Sequence, residues 1–166
     1  QGVGVAEAAY QHALEYARDR KQGKAGPDGK GSIIDHADVR RMLLTMKAEI
    51  FAARAIGLSC AHAIDMTRAT KDPAWSARAA LFTPMAKAFG TDTGIGMADM
   101  GLQVHGGMGF IEETGAAQFI RDVRVTAIYE GTNGVQAMDL VARKMMDGGE
   151  AANLLLDEIV VDVEAA

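Results

Sequence analysis

One apolar stripe limits what this chain can become. Val39, Leu43, Met46, Ile50, Ala53, Gly57, Cys60 and Ile64 follow one another at alternating steps of four and three residues. That spacing puts all of them on one face of an α-helix. A strand of this length would alternate its side chains with period two instead, so the stripe predicts a helix, and the longest element of the molecule. A helix with one apolar face needs other surfaces to cover it, and the rest of the chain offers them. Val5, Ala9, His12 and Tyr16 predict an earlier helix, failing in the stretch Lys21 to Gly31 with its glycines, lysines and Pro27-Asp28. Pro73 suits the start of a third helix through Trp75, Phe82 and Phe89, with Pro84 as a kink or division and Gly90 as a stop. Thr91 or Thr93 would then cap a helix to about Val104, and His105-Gly106-Gly107-Met108-Gly109 would break it. Thr114 is expected to open a helix through Phe119, Ile120 and Val123. Val135, Met138, Val141 and Met145 form another face, and Leu154 to Val161 a docked helix or a strand-like tail. No segment reads as a convincing strand and no repeat is visible. Short connections between long amphipathic helices point to an all-α, antiparallel bundle.

Composition narrows the chemistry. A chain of 166 residues, 49% of them hydrophobic, suits one globular domain with a sizeable core. A net charge of −5 without any dense Lys/Arg run argues against nucleic acid or an anionic membrane as the main partner. Charged residues interrupt every candidate membrane span. The single cysteine, Cys60, excludes an internal disulfide and reads as a small core residue. The start at Gln1 lacks a signal-peptide pattern and suggests a processed chain or an excised domain. His12, His36, His62 and His105 are scattered, with no pair at metal-ligand spacing, so no metal site is expected. The serines lack a nucleophile-elbow context. The glycines from Gly94 to Gly109 follow no strand and therefore make no doubly wound dinucleotide fingerprint, although their amides are free to meet a nucleotide.

Against that background Tyr129-Glu130-Gly131-Thr132, with Asn133 next, stands apart. It sets a lone carboxylate on a tight small-residue turn before a helix start. There the helix dipole favours the charge, and an apolar ligand packed beside the carboxylate would raise its proton affinity into the range of a general base.

The order Gln103-Val104-His105-Gly106-Gly107, Gly109-Phe110, Glu113, Arg121-Asp122, then Ile128-Tyr129-Glu130-Gly131-Thr132 resembles the C-terminal domain of the flavin-dependent acyl-CoA dehydrogenases. Tyr16-Ala17-Arg18-Asp19-Arg20 leading into Gln22-Gly23-Lys24 resembles the segment that ends that domain's first helix, so the likeness runs from Gln1 to about Met146. The Gly-rich insert before Ile33-Ile34-Asp35-His36 is most similar to the large bacterial branch of the family.

The resemblance implies a four-helix-bundle-like domain with additional short helices, spanning residues 1–166 as one unit of a larger protein. It implies FAD as cofactor and Glu130 as the base that removes the proton next to an acyl-CoA thioester carbonyl, hydride leaving the neighbouring carbon for the flavin. Tyr129 and Gly131 would line the substrate, Gly131 because a side chain would crowd the thioester. Arg20 and Gln22 would reach the FAD of a neighbouring subunit. Gln103, Val104, His105, Gly106 and Gly107 would approach its adenosine part, and Thr132 and Asn133 the flavin. His36 corresponds to a position near the cofactor. Arg121, Asp122 and Arg124 are expected to brace the base-bearing turn. Gly23 stands where many members carry an aromatic residue, Gly134 where a glutamine often contacts FAD, and Ala37 replaces a frequent glutamine.

Implied partners are acyl-CoA, electron-transfer flavoprotein and further copies in a homodimer or homotetramer, with no nucleic acid and no metal, in a bacterial cytoplasm. The family's N-terminal helical and middle β-domains have no counterpart in these residues, so this chain alone is expected to bind FAD weakly or not at all and not to turn over acyl-CoA. The alternatives are a non-catalytic helical scaffold that keeps the fold for assembly, and an acyl-CoA oxidase.

Overall fold

The computed structural model describes residues 1–146 and 148–166. Among these the order is α1 (Gly2–Asp19), α2 (Ala37–Thr70), α3 (Pro73–His105), α4 (Gly107–Phe110), α5 (Ala116–Arg124), α6 (Asn133–Asp139) and α7 (Glu150–Ala165), with 3-10 turns at Ile33–Asp35, Glu112–Thr114 and Val125–Ala127. A π-helical stretch, Leu140–Met145, follows α6. No described residue lies in a strand, and among the described residues no helix is long and apolar enough to cross a membrane. The backbone divides into two compact units, Gln1–Arg54 with Gly90–Tyr129, and Ala55–Phe89 with Glu130–Ala166.

Unit 1 is built on small residues. Ala6, Ala9, Ala13 and Ala17 form the buried face of α1. Alanine favours the helix while letting a neighbouring backbone come close. Against this face lie Met42, Leu43, Met46 and Ile50 of α2, Met97 and Ala98 of α3, and Val123 of α5. The start of α1 lies so close to α3 that a Cβ on Gly94 would sit 2.8 Å from the Gly2 carbonyl and 2.8 Å from a Val123 methyl. Further along, a Cβ on Gly101 would come 3.3 Å from the Ala9 carbonyl, and the Tyr16 and His105 rings are 4.3 Å apart. Three contacts in rising order on both helices make α1 and this half of α3 run side by side in the same direction. α2 runs the other way, with Arg54 on Glu7 at 2.7 Å.

Gly90 does not stop a helix, and Thr91 and Thr93 do not cap one. α3 continues through all three, and both threonines are buried inside it. Glycine in a helix interior costs on the order of 0.5–1 kcal/mol relative to alanine, and here close packing on α1 offsets that cost. Pro84 is tolerated within the same helix and is fully buried. Thr114 likewise opens no helix. Its hydroxyl donates to the Met108 and Ile111 carbonyls, and Gly115 in the left-handed region precedes α5.

Unit 2 buries Cys60, Ala63, Leu81, Phe82 and Ala152, so Cys60 is the small core residue its neighbours suggested, 3.8 Å from the Thr83 hydroxyl. The C-terminal segment is helical, as α7. Arg78 of α3 holds it through two hydrogen bonds to the Glu158 carboxylate, both 2.7 Å. Those bonds hold the Glu158 carboxyl below the usual carboxylate range. The stripe Val135, Met138, Val141 and Met145 lies on α6 and the π-helical stretch, and all four are exposed.

Candidate functional site

The loop after α1 is closed by its own backbone. Ile33 N–H donates to the Arg20 carbonyl at 2.8 Å, and Gly31 N–H to the Ala25 carbonyl at 2.8 Å. This brings three of the sequence candidates together. The Arg20 guanidinium donates to the Gln22 side-chain oxygen at 3.2 Å, and the His36 ring nitrogen Nε2 donates to the Gln22 carbonyl at 2.9 Å. Gly23 is left-handed, and a Cβ there would meet the His36 ring at 3.4 Å. Arg20 and Gln22 are exposed, so the cluster presents a cation and a carboxamide outward.

At the end of α3 the sequence candidates divide. Val104 and His105 point inward and are buried, whereas Gln103, Gly106 and Gly107 are exposed. The His105 ring rests between Tyr16 and His12, whose centroids are 4.3 and 4.6 Å away. A carbonyl only accepts, so His105 Nδ1 carries the proton that bonds Gly101 at 2.8 Å. Nε2 then faces inward with no partner among the described residues. Burial pushes the His105 pKa below its ordinary 6.5; the Gly101 bond opposes this and the neighbouring His12 adds to it. Gly106 then turns the chain at φ +59°, which only glycine adopts without strain. A Cβ on Gly107 would meet nothing within 4 Å. Its lack of a side chain therefore answers no need inside the chain and leaves open space for an approaching group.

Glu130 belongs to unit 2, as do Gly131, Thr132 and Asn133. Glu130 adopts φ +53° and Gly131 φ +83°. For glycine this is ordinary; for a glutamate it is a strained conformation. The Glu130 side chain is exposed. Thr132 caps α6, its hydroxyl accepting the Val135 N–H at 3.3 Å. Asn133 ties the turn to α3, accepting from the Lys87 ammonium at 2.8 Å and donating to the Ala88 carbonyl at 3.4 Å. Gln136 donates through Nε2 to the carbonyls of Glu130 at 3.3 Å and Gly131 at 3.4 Å. Neither Lys87 nor Gln136 was among the residues that the sequence motifs single out. For Gln136 the signal was its place one turn into α6, since helical side chains lean toward the N-terminus. For Lys87 no local signal existed. Tyr129 ends unit 1, half-exposed, its N–H on the Val125 carbonyl at 3.1 Å. Arg121 donates to Gln118 and pairs with Glu112 at 3.9 Å, and Asp122 accepts from Gln118, so none of these partners lies on the Glu130 turn.

The described residues thus present an open glycine turn and an outward arginine in unit 1, and a carboxylate on a strained turn in unit 2. Comparison with known proteins makes the class definite: residues 1–146 match the family model for the acyl-CoA dehydrogenase C-terminal domain, and the chain belongs to that family. It is 46% identical to 3-methylmercaptopropionyl-CoA dehydrogenase of Ruegeria pomeroyi over 96% of its own length and 28% of that protein. It is 40% identical to a butyryl-CoA dehydrogenase of Syntrophomonas wolfei over 95% of its length and 27% of that protein. The solved butyryl-CoA dehydrogenase of Megasphaera elsdenii superposes with a TM-score of 0.71 at 31% identity, covering 86% of this chain and 33% of that one. The chain thus spans between a quarter and a third of the length of these relatives. The family is FAD-dependent.

Proposed function

We propose that this chain is the base-bearing, FAD-contacting part of an acyl-CoA dehydrogenase, acting in α,β-dehydrogenation of an acyl-CoA thioester. The observation that carries the proposal is Glu130 itself. A non-glycine residue held at φ +53°, followed by a left-handed glycine and braced by side chains from two helices, stores strain. Such strain persists where a side chain's placement is required.

The residues present fit the cofactor. Gly106 and Gly107 leave an open, side-chain-free approach, and Gln103 stands exposed beside them. Val104 and His105 offer only backbone there, because their side chains point into unit 1. Arg20, steadied by Gln22, suits a pyrophosphate, for which a planar guanidinium is well matched. Thr132 and Asn133 would meet the flavin at the start of α6. When bound, FAD accepts the hydride from the β-carbon.

What the chain does is hold and move a proton. The Glu130 carboxylate takes it from the α-carbon, and the electron pair left behind moves toward the β-carbon as hydride departs. The α-proton of a thioester is too weakly acidic for a free carboxylate, so placement and exclusion of water must supply much of the effect. The Glu130 N–H would polarise the thioester carbonyl. Gly131 leaves room for the acyl group, and Tyr129 would wall it. Electron-transfer flavoprotein as acceptor, and assembly through further copies, belong to the same proposal.

In the full-length flavoprotein, Glu130→Gln should lower the rate of acceptor-dye reduction with acyl-CoA by about 10²–10⁴-fold, the usual share of a general base, while FAD content and fold persist. An unchanged rate would remove Glu130 from the role.

A further inference from the structure

We infer that Gln136 is a positioning residue for Glu130, acting on the backbone of the turn rather than on substrate. This rests on the reading of Glu130 as the base. The carboxamide nitrogen of Gln136 donates to two successive carbonyls, Glu130 at 3.3 Å and Gly131 at 3.4 Å. Those are the two left-handed residues, φ +53° and φ +83°. Two consecutive left-handed residues leave their carbonyls without the partners a helix or strand would give, and a primary amide carries two hydrogens to meet them.

The reach comes from the helix. Thr132 caps α6, the Gln136 N–H closes its first turn on the Thr132 carbonyl at 3.0 Å, and the side chain leans back over the cap toward the turn. The fit is close enough that a Cβ on Gly131 would lie 2.9 Å from the Gln136 nitrogen. A side chain at 131 would push the Gln136 amide from this position, so Gly131 gives the brace room as well as meeting the demand of its φ. Asn133 fixes the start of α6 to α3, so the brace pulls on an anchored element. Without it the left-handed Glu130 relaxes toward commoner backbone angles and its carboxylate leaves its line.

The test is made in the full-length flavoprotein with Gln136→Met, equal in length but without donors, and Gln136→Lys, which restores N–H groups. The Met variant should speed amide hydrogen exchange in the peptide covering residues 128–136 and leave other peptides unchanged. It should lower kcat by about 10–100-fold, the scale of a small misplacement, with KM and FAD content near wild type, and the Lys variant should recover part of that loss. Unchanged exchange in 128–136, or a Lys variant as slow as Met, overturns the inference. Glu130→Gln run alongside separates the two readings. If it too leaves the rate intact, the base assignment has failed; if it alone collapses the rate, only the brace has.

Discussion

The Gly106 turn of unit 1 and the Glu130 turn of unit 2 both need a residue at positive φ, +59° and +53°, and they fill it differently. After α3 the position is glycine, free of strain, and the turn is seated by the buried side chains Val104 and His105 just before it. Before α6 the position is an exposed glutamate, and three side-chain devices hold it: the Thr132 cap, the Asn133 tie to α3 and the Gln136 brace. The first turn has the shape its backbone prefers. The second is kept in a shape its backbone resists, which is the mark of a side chain wanted in one place.

The sharpest way to break this contrast is to make the second turn like the first. Glu130→Gly in the full-length protein should abolish most dehydrogenation, again by about 10²–10⁴-fold. It should also raise stability to denaturant by about 1 kcal/mol through relief of the left-handed strain. A loss of both activity and stability would mean that the glutamate is part of the structure. The converse change sharpens the contrast from the other side. Gly106→Ala should cost about 1–2 kcal/mol in chemical denaturation, because alanine resists φ +59°. Gly107→Ala meets open space and should leave stability level or raise it by about 0.4–1 kcal/mol, while weakening FAD retention in the holoprotein. Equal stability losses at both glycines would contradict an open approach at Gly107.

The smallest effect is that of pH on unit 1. His105 has its folded pKa depressed below 6.5 by burial. The unfolded chain therefore binds the proton first as pH falls. The contribution of a neutral His105 is present in full above pH 6.5 and is lost as pH drops from there through the lowered folded value. His105→Gln should flatten that part of the stability profile in denaturation curves recorded across the range.

Much of this was legible in sequence because it depends on local pattern. The stripe from Val39 to Ile64 lies within α2, the Lys21 to Gly31 stretch is a loop, and the Gly106 turn breaks α3 where its glycines fall, although a single helical turn restarts at Gly107. What was not legible depended on distant partners. Gly90 reads as a stop until the start of α1 is seen lying on that side of α3. Thr114 reads as a cap until its hydroxyl is found on Met108 and Ile111 carbonyls behind it. The role of Glu130 came from family likeness. Its strain, and the brace that answers it, came from backbone angles that no residue pattern displays.

Solvent deuterium exchange at the substrate α-carbon measures α-proton removal by Glu130 apart from hydride transfer. The full-length FAD-loaded protein in D2O without an electron acceptor should wash deuterium into the α-position of a bound acyl-CoA, and the Glu130→Gln protein, equally loaded, should not. Exchange in the variant at the wild-type rate would contradict the account.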